Sequence, residues 1–241
     1  MNLTNKIAIV TGASSGFGVG IARELINAGA KVWVVARSAD KLEKVAKQIG
    51  AKAIVADVTK SEDWDKLISQ VMTEDKTIDI LVNNAGGAIS TEEVGQQTDD
   101  QIRESIGLNL TSAIIGSSRV STIMKAQKSG TIIQMSSICS KQCWPGWSVY
   151  GAAKAGLEQF SRGLYTELRP HNVRAVFITP SWGATDFGKT ANLPDPESSL
   201  EEKMIQPKDI GQLVLSICTL PDHLVIPEVT VLPMVQEIVP Y

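Results

Sequence analysis

The chain has 241 residues, 43% hydrophobic and 20% charged, with 19 Gly and 10 Pro, which excludes a disordered or fibrous protein and suits one globular α/β domain. Its 23 Lys and Arg stand against 26 Asp and Glu, a net charge of −3, so no broad basic surface exists to draw it onto nucleic acid or an anionic membrane. No stretch approaches the roughly 18 apolar residues of a membrane span, and the opening Met1–Lys6 runs into a strand without a signal-peptide core, so the expected location is cytoplasmic. Three cysteines (Cys139, Cys143, Cys218) and two histidines (His171, His223) predict neither a disulfide framework nor a metal site.

Short β-branched runs alternate with amphipathic stretches. Strands are predicted at 7–10, 31–35, 53–56, 80–82, 131–135 and 173–178, and helices at about 17–28, 40–49, 61–73, 99–128 and 148–168. This rhythm predicts an α/β fold with a doubly wound parallel sheet of Rossmann type, helices on both faces and a single domain over 1–241. The segment 183–206 breaks the pattern with Pro194, Asp195, Pro196, Glu197, Ser198 and Ser199. It follows the sixth strand, where an open α/β sheet presents its ligand crevice, and is read as a substrate lid.

After the first strand, Thr11 leads into Gly12, Ala13, Ser14, Ser15, Gly16, Phe17 and Gly18. Missing side chains there let backbone N–H groups approach a pyrophosphate at a helix N-terminus, so a dinucleotide is implied. The spacing G-x-x-x-G-x-G differs from the usual G-x-G-x-x-G. The second strand ends at Ala36, Arg37 and Ser38, where an NAD site would carry an acidic residue on the ribose 2′-hydroxyl. An arginine without a carboxylate favours a 2′-phosphate, hence NADP(H).

Together these residues resemble the short-chain dehydrogenase/reductase family, in order and over essentially the whole chain. The turn Thr11 through Gly18 resembles its cofactor loop, Asp57 and Val58 its adenine contact, and Asn83, Asn84, Ala85 and Gly86 its element after strand four. Asn109, Ser137, Tyr150 and Lys154 match its catalytic tetrad. Tyr150 and Lys154 lie four apart, on one face of a helix, so the ammonium is expected to draw the phenol below its ordinary value near 10. The resemblance implies that Ser137, or its neighbour Ser136, orients the substrate oxygen, that Asn109 supports a proton relay through Lys154, and that Tyr150 and Lys154 also hold the cofactor. Pro180 and Thr185 match the element around the nicotinamide, with Ser181 in place of the family's glycine.

Trp144, Trp147 and Trp182 flank the predicted centre, with Phe187 behind. A pocket for an apolar carbonyl or alcohol is read as lined by Trp144, Trp182 and Phe187 rather than by Trp147. Against this, the run 221–233 resembles the bacterial branch of 3-hydroxy acid and serine dehydrogenases, which implies a small polar substrate; Arg162, Arg169 and Arg174 offer no clear carboxylate partner. The expected activity is NADP(H)-dependent reduction of a ketone or aldehyde. Enoyl reduction, epimerisation or dinucleotide sensing are the alternatives. By resemblance, the helices at 99–128 and 148–168 pair with further copies, giving a homotetramer or homodimer.

Overall fold

A computed structural model describes residues 2–236. Seven strands, β1 (Ile7–Thr11), β2 (Lys31–Ala36), β3 (Lys52–Val55), β4 (Ile80–Asn83), β5 (Gly130–Met135), β6 (Val173–Pro180) and β7 (Glu228–Val231), form one sheet in the order β3-β2-β1-β4-β5-β6-β7. Every pairing is parallel. The helices are α1 (Gly16–Asn27), α2 (Ala39–Ile49), α3 (Ser61–Asp75), α4 (Asp99–Ile106), α5 (Ser112–Gln127), α6 (Ser148–Leu168), α7 (Phe187–Thr190), α8 (Ser198–Glu201) and α9 (Pro207–Cys218).

Successive strand residues point to opposite faces, and here both faces are apolar. Ala8 and Val10 of β1 pack with Ile21 and Leu25 of α1 and Ile210, Val214 and Ile217 of α9. Their neighbours Ile7 and Ile9 join the other core with Trp64 and Leu67 of α3, Val120 and Met124 of α5, and Leu164 of α6. Each buried Val, Leu, Ile or Met among them, taken out of water, contributes about 1.5–3 kcal/mol, so the sheet is held from both sides and its strand ends are fixed.

The six predicted strands are present with ends shifted by one or two residues. The short helices α7 and α8 fall in the segment 183–206, for which no helix is predicted, and three further features differ from the sequence reading. The predicted helix at 99–128 is α4 and α5 joined by a π-helical turn, Gly107–Thr111, which inserts one extra residue into the helical ladder. The amphipathic α9, opened by Pro207 at its first turn, was not predicted. Neither was β7, a four-residue edge strand that alternates exposed and half-buried residues.

Candidate active site

The chain leaves β1 toward β2 on one side, while β4 lies on β1's other side; the crevice of a doubly wound sheet opens at the carboxyl end of such a reversal. Two loops are clasped there. The Thr11 hydroxyl accepts from the amides of Asn84 and Ala85, both at 3.0 Å. The Asn84 side chain donates to the carbonyls of Thr11 (3.0 Å) and Gly12 (3.2 Å). Sequence reading assigned Asn84 to the cofactor; its amide holds the glycine turn in shape.

Gly12 adopts φ +65°, and a Cβ on it would stand 2.8 Å from the Ala85 Cα, so backbone meets backbone where no side chain fits. A Cβ on Gly18 would stand 2.5 Å from the Gly12 carbonyl oxygen. Helix α1 begins at Gly16 with no side-chain bond from its cap residue Ser15 and no acidic residue in its first turn. Its leading N–H groups and positive end therefore face the crevice without a competing carboxylate, which fits a pyrophosphate. Thr185 lies against Gly16, and the Phe17 ring against Gly183, so the segment after β6 folds back over the glycine turn.

Arg37 and Ser38 are exposed at the end of β2, Ser38 capping α2 without a side-chain bond. Partial burial pushes the Asp57 carboxyl up, but hydrogen bonds from the Thr59 hydroxyl and amide, with the charges of Arg37 and Lys60, outweigh this and hold it below the usual range. Val58 beside it is buried.

The four residues that match the family's tetrad come from three elements. Tyr150 and Lys154, one helical turn apart on α6, are 6% and 3% exposed. The Lys154 Nζ lies 5.7 Å from the Tyr150 ring centroid and donates to the Met135 carbonyl at 2.9 Å. Asn109 sits in the π turn: its Oδ1 accepts from the Gly87 amide at 3.0 Å, and its Nδ2 donates to the carbonyls of Gly87 (2.9 Å) and Ser105 (3.0 Å). A Cβ on Gly86 would lie 2.9 Å from Asn109 Oδ1 and 3.1 Å from Lys154 Nζ, so amide, ammonium and the loop after β4 converge.

Ser137 follows β5 in extended conformation and accepts from the Cys139 amide at 3.2 Å; its hydroxyl also stands near enough to the Tyr150 phenol to act on its ionisation. Ser136 is turned away, donating to Glu158 at 2.9 Å. Of the two serines, Ser137 is the one on the Tyr150 side, while Ser136 is engaged by Glu158.

Burial pushes the Tyr150 phenol well above its ordinary value, the nearby Cys139 thiol adds to this, and the Ser137 hydrogen bond offsets only part. Burial pushes Lys154 down to about 8, with Cys139 acting in the opposite sense. The expected lowering of the phenol by the ammonium is therefore outweighed: desolvation favours the neutral form of both groups.

An aromatic cluster covers Tyr150. Trp147 stands edge-on to it at 5.5 Å between centroids, Phe187 of α7 lies 5.8 Å from it, and Trp147 and Phe187 stack at 6.0 Å. Phe187, expected from the sequence to line a substrate pocket, lies against Tyr150 and Trp147. Of the tryptophans, Trp147 rather than Trp144 or Trp182 meets the tyrosine: Trp182 is 45% exposed, and half-buried Trp144 contacts Trp147 through its carbonyl, which accepts the Trp147 amide at 3.1 Å. Trp147 lies three residues before Tyr150, a spacing that shares a helical face and was the available signal. Pro180 ends β6, and the Ser181 amide donates to Val231 at 3.1 Å. Arg162 lies over the Phe177 ring at 4.9 Å, and Arg174 donates to the carbonyls of Leu220 and Pro221.

A family model described as short chain dehydrogenase matches residues 6–195. The chain belongs to the short-chain dehydrogenase family. An uncharacterized oxidoreductase of Staphylococcus aureus (strain MRSA252) is 34% identical over 235 residues, covering 96% of this chain and 99% of that one. Among solved structures, a serine dehydrogenase in a closed form complexed with NADP+ superposes with TM-score 0.89 at 29% identity, over 98% of both chains. An alcohol dehydrogenase from the archaeon Thermococcus sibiricus, complexed with 5-hydroxy-NADP, gives TM-score 0.86 at 26% identity, over 96% of this chain and 98% of that one. The chain is an oxidoreductase of this family. Among the described residues, no helix is long and apolar enough to cross a membrane, and no three His, Cys, Asp or Glu side chains gather to hold a metal.

Proposed function

We propose that this protein is an NADP(H)-dependent carbonyl reductase, reversibly an alcohol dehydrogenase, acting on ketones or aldehydes with an apolar, aromatic-sized substituent. The observation that carries it is the aromatic wall of Trp147 and Phe187 on the phenol of Tyr150, beside Ser137.

The residues fit the cofactor. The turn of Gly12, Ser14, Ser15, Gly16, Phe17 and Gly18 would hold the pyrophosphate, Arg37 and Ser38 the 2′-phosphate, and Asp57 and Val58 the adenine side. Asn84, Ala85, Gly86, Pro180 and Thr185, with Tyr150 and Lys154, would border the nicotinamide half. When bound, NADPH supplies the hydride. Tyr150 supplies the proton to the substrate oxygen: its raised pKa keeps the phenol protonated at neutral pH, the form a reduction consumes. Ser137 donates to the same oxygen and fixes its position. Lys154 and Asn109 return a proton toward Tyr150; a lysine poised near 8 exchanges protons readily at neutral to mildly alkaline pH.

The segment 183–206 is proposed as a lid hinged where Gly183 pairs with Ile205, with Phe187 as the side chain it presses on the site. Turnover of an aryl ketone panel, with Phe187→Ala and Trp147→Ala, tests this reading. An increase of about tenfold in KM for aryl ketones, with small aldehydes unaffected, supports it; equal effects on both classes contradict it. The serine dehydrogenase neighbours support a second reading, a small 3-hydroxy acid substrate, which turnover of serine or 3-hydroxy acids with NADP+ would establish. A saturated ketone formed from an enone would point instead to enoyl reduction. A homodimer or homotetramer belongs to the same proposal, supported by exposed Leu224, Leu232 and Met234 near edge strand β7 and tested by light scattering.

A further inference from the structure

Behind the tetrad lies a buried carboxylate that the proposed chemistry does not use. Glu158 is on α6, one turn beyond Lys154 and two beyond Tyr150, and is 4% exposed. Three hydroxyls from separate places meet on its Oε1: Ser136 at 2.9 Å, Ser140 at 2.5 Å and Thr179 at 2.8 Å. Ser136 and Ser140 bracket Ser137, and the Ser140 hydroxyl also lies 2.7 Å from the Ser137 carbonyl oxygen, its one proton shared between the two acceptors. Thr179 precedes Pro180 at the end of β6. Arg162 closes the cluster from outside, 3.7 Å from Glu158 Oε2 and 3.0 Å from Glu228 of β7.

A carboxylate withdrawn from water is costly unless its lone pairs are filled. Here two of the three hydroxyls that fill them come from the segment that carries the substrate-orienting serine. The helix bearing Tyr150 is thereby tied, through one side chain, to both flanks of Ser137 and to the strand end bordering the cofactor half of the crevice. Resting on the function proposed above, we infer that Glu158 is a positioning residue: it sets the Ser137 hydroxyl against Tyr150 and so fixes where the substrate oxygen is held. A displacement of about 1 Å in such a group costs on the order of 10²-fold in rate.

The test is a double-mutant cycle on the full-length protein. Glu158→Leu removes the acceptor on which the three hydroxyls converge, leaving Ser140 only the Ser137 carbonyl and Ser136 only the Lys154 carbonyl, and is expected to lower kcat about 10–100-fold with the KM for NADPH unchanged, whereas Glu158→Gln, which keeps an Oε1 acceptor, retains most of the activity. In the Ser137→Ala background the same Glu158→Leu change is expected to cost less than about threefold, because the group it positions is gone. Equal losses in the two backgrounds overturn the inference, as does a Glu158→Leu enzyme with wild-type kcat. Should Glu158→Leu fail to fold, Ser140→Ala breaks the same link with a smaller change and is expected to show the same dependence on Ser137. Hydrogen exchange at the backbone amides of 137–140 in the cofactor-free protein reads the positioning without turnover: faster exchange in Glu158→Leu is expected, and unchanged exchange contradicts it. Wild-type protein that turns over no carbonyl would defeat the reductase reading alone, leaving the exchange measurement to decide on Glu158.

Discussion

Lys154 carries a charge that the fold does not favour, and this has a measurable consequence. Burial brings it from 10.5 down to about 8, which corresponds to a penalty of about 3 kcal/mol on the charged form. The folded state binds the proton less tightly than the unfolded state, so below pH 8 both states are charged and the full penalty is present. Between pH 8 and 10.5 the folded lysine is largely neutral while the unfolded one stays protonated, and stability rises with pH. Lys154→Met removes the titrating group; it also strips the Met135 carbonyl of its donor, a cost of about 1–3 kcal/mol that does not vary with pH. Urea denaturation of both proteins at pH 8 and pH 10 is the assay. Wild type is expected to gain about 2 kcal/mol on the variant over that interval, and Tyr150, common to both, cancels. Parallel stability profiles would refute the buried, depressed lysine.

Further predictions concern the cofactor end and the lid. Arg37→Glu places a carboxylate where a 2′-phosphate would sit and is expected to shift the NADPH/NADH preference by about 10–10²-fold toward NADH, since a charge-assisted hydrogen bond contributes roughly 1.5–3 kcal/mol; steady-state kinetics with both cofactors check this, and an unchanged ratio would remove Arg37 from the site. Gly18→Ala puts a methyl 2.5 Å from the Gly12 carbonyl oxygen and 2.8 Å from the Asn84 Nδ2; deforming the glycine turn should weaken NADPH binding at least about tenfold by fluorescence titration, at a stability cost of about 1–3 kcal/mol. Phe187→Ala opens the cover over Tyr150, and because burial is the main cause of that residue's raised pKa, ultraviolet titration should find a phenol ionising closer to 10 than in the wild type.

The sheet and the glycine turn were legible because both follow from local rules: apolar β-branched runs at regular spacing, and glycines at a strand-to-helix junction. That the four residues proposed as the tetrad would lie together was legible through spacing and resemblance, Tyr150 and Lys154 on one helical face with Ser137 at a strand end. Other features had no such signal. The π turn that seats Asn109 is written in ordinary helix-compatible residues, Gly107, Leu108, Leu110 and Thr111. Edge strand β7 is half-exposed, so its sequence lacks the continuous apolar run of its buried neighbours. The direction of the Tyr150 shift was misread because charge proximity can be inferred from spacing, whereas desolvation depends on what closes over the pair, and the Phe187 that does so arrives from a segment 37 residues later. Glu158 gave no sign at all: its three hydroxyl partners come together only when β5, β6 and α6 are packed.

The central claim, that Tyr150 in an NADP(H) site protonates a carbonyl oxygen, is tested most directly by following NADPH and NADH consumption across aryl ketones, small aldehydes and 3-keto acids with the wild type and Tyr150→Phe. The account predicts turnover that prefers NADPH and falls at least about 10²-fold in the variant while NADPH binding persists. Turnover that survives the loss of the phenol would contradict it.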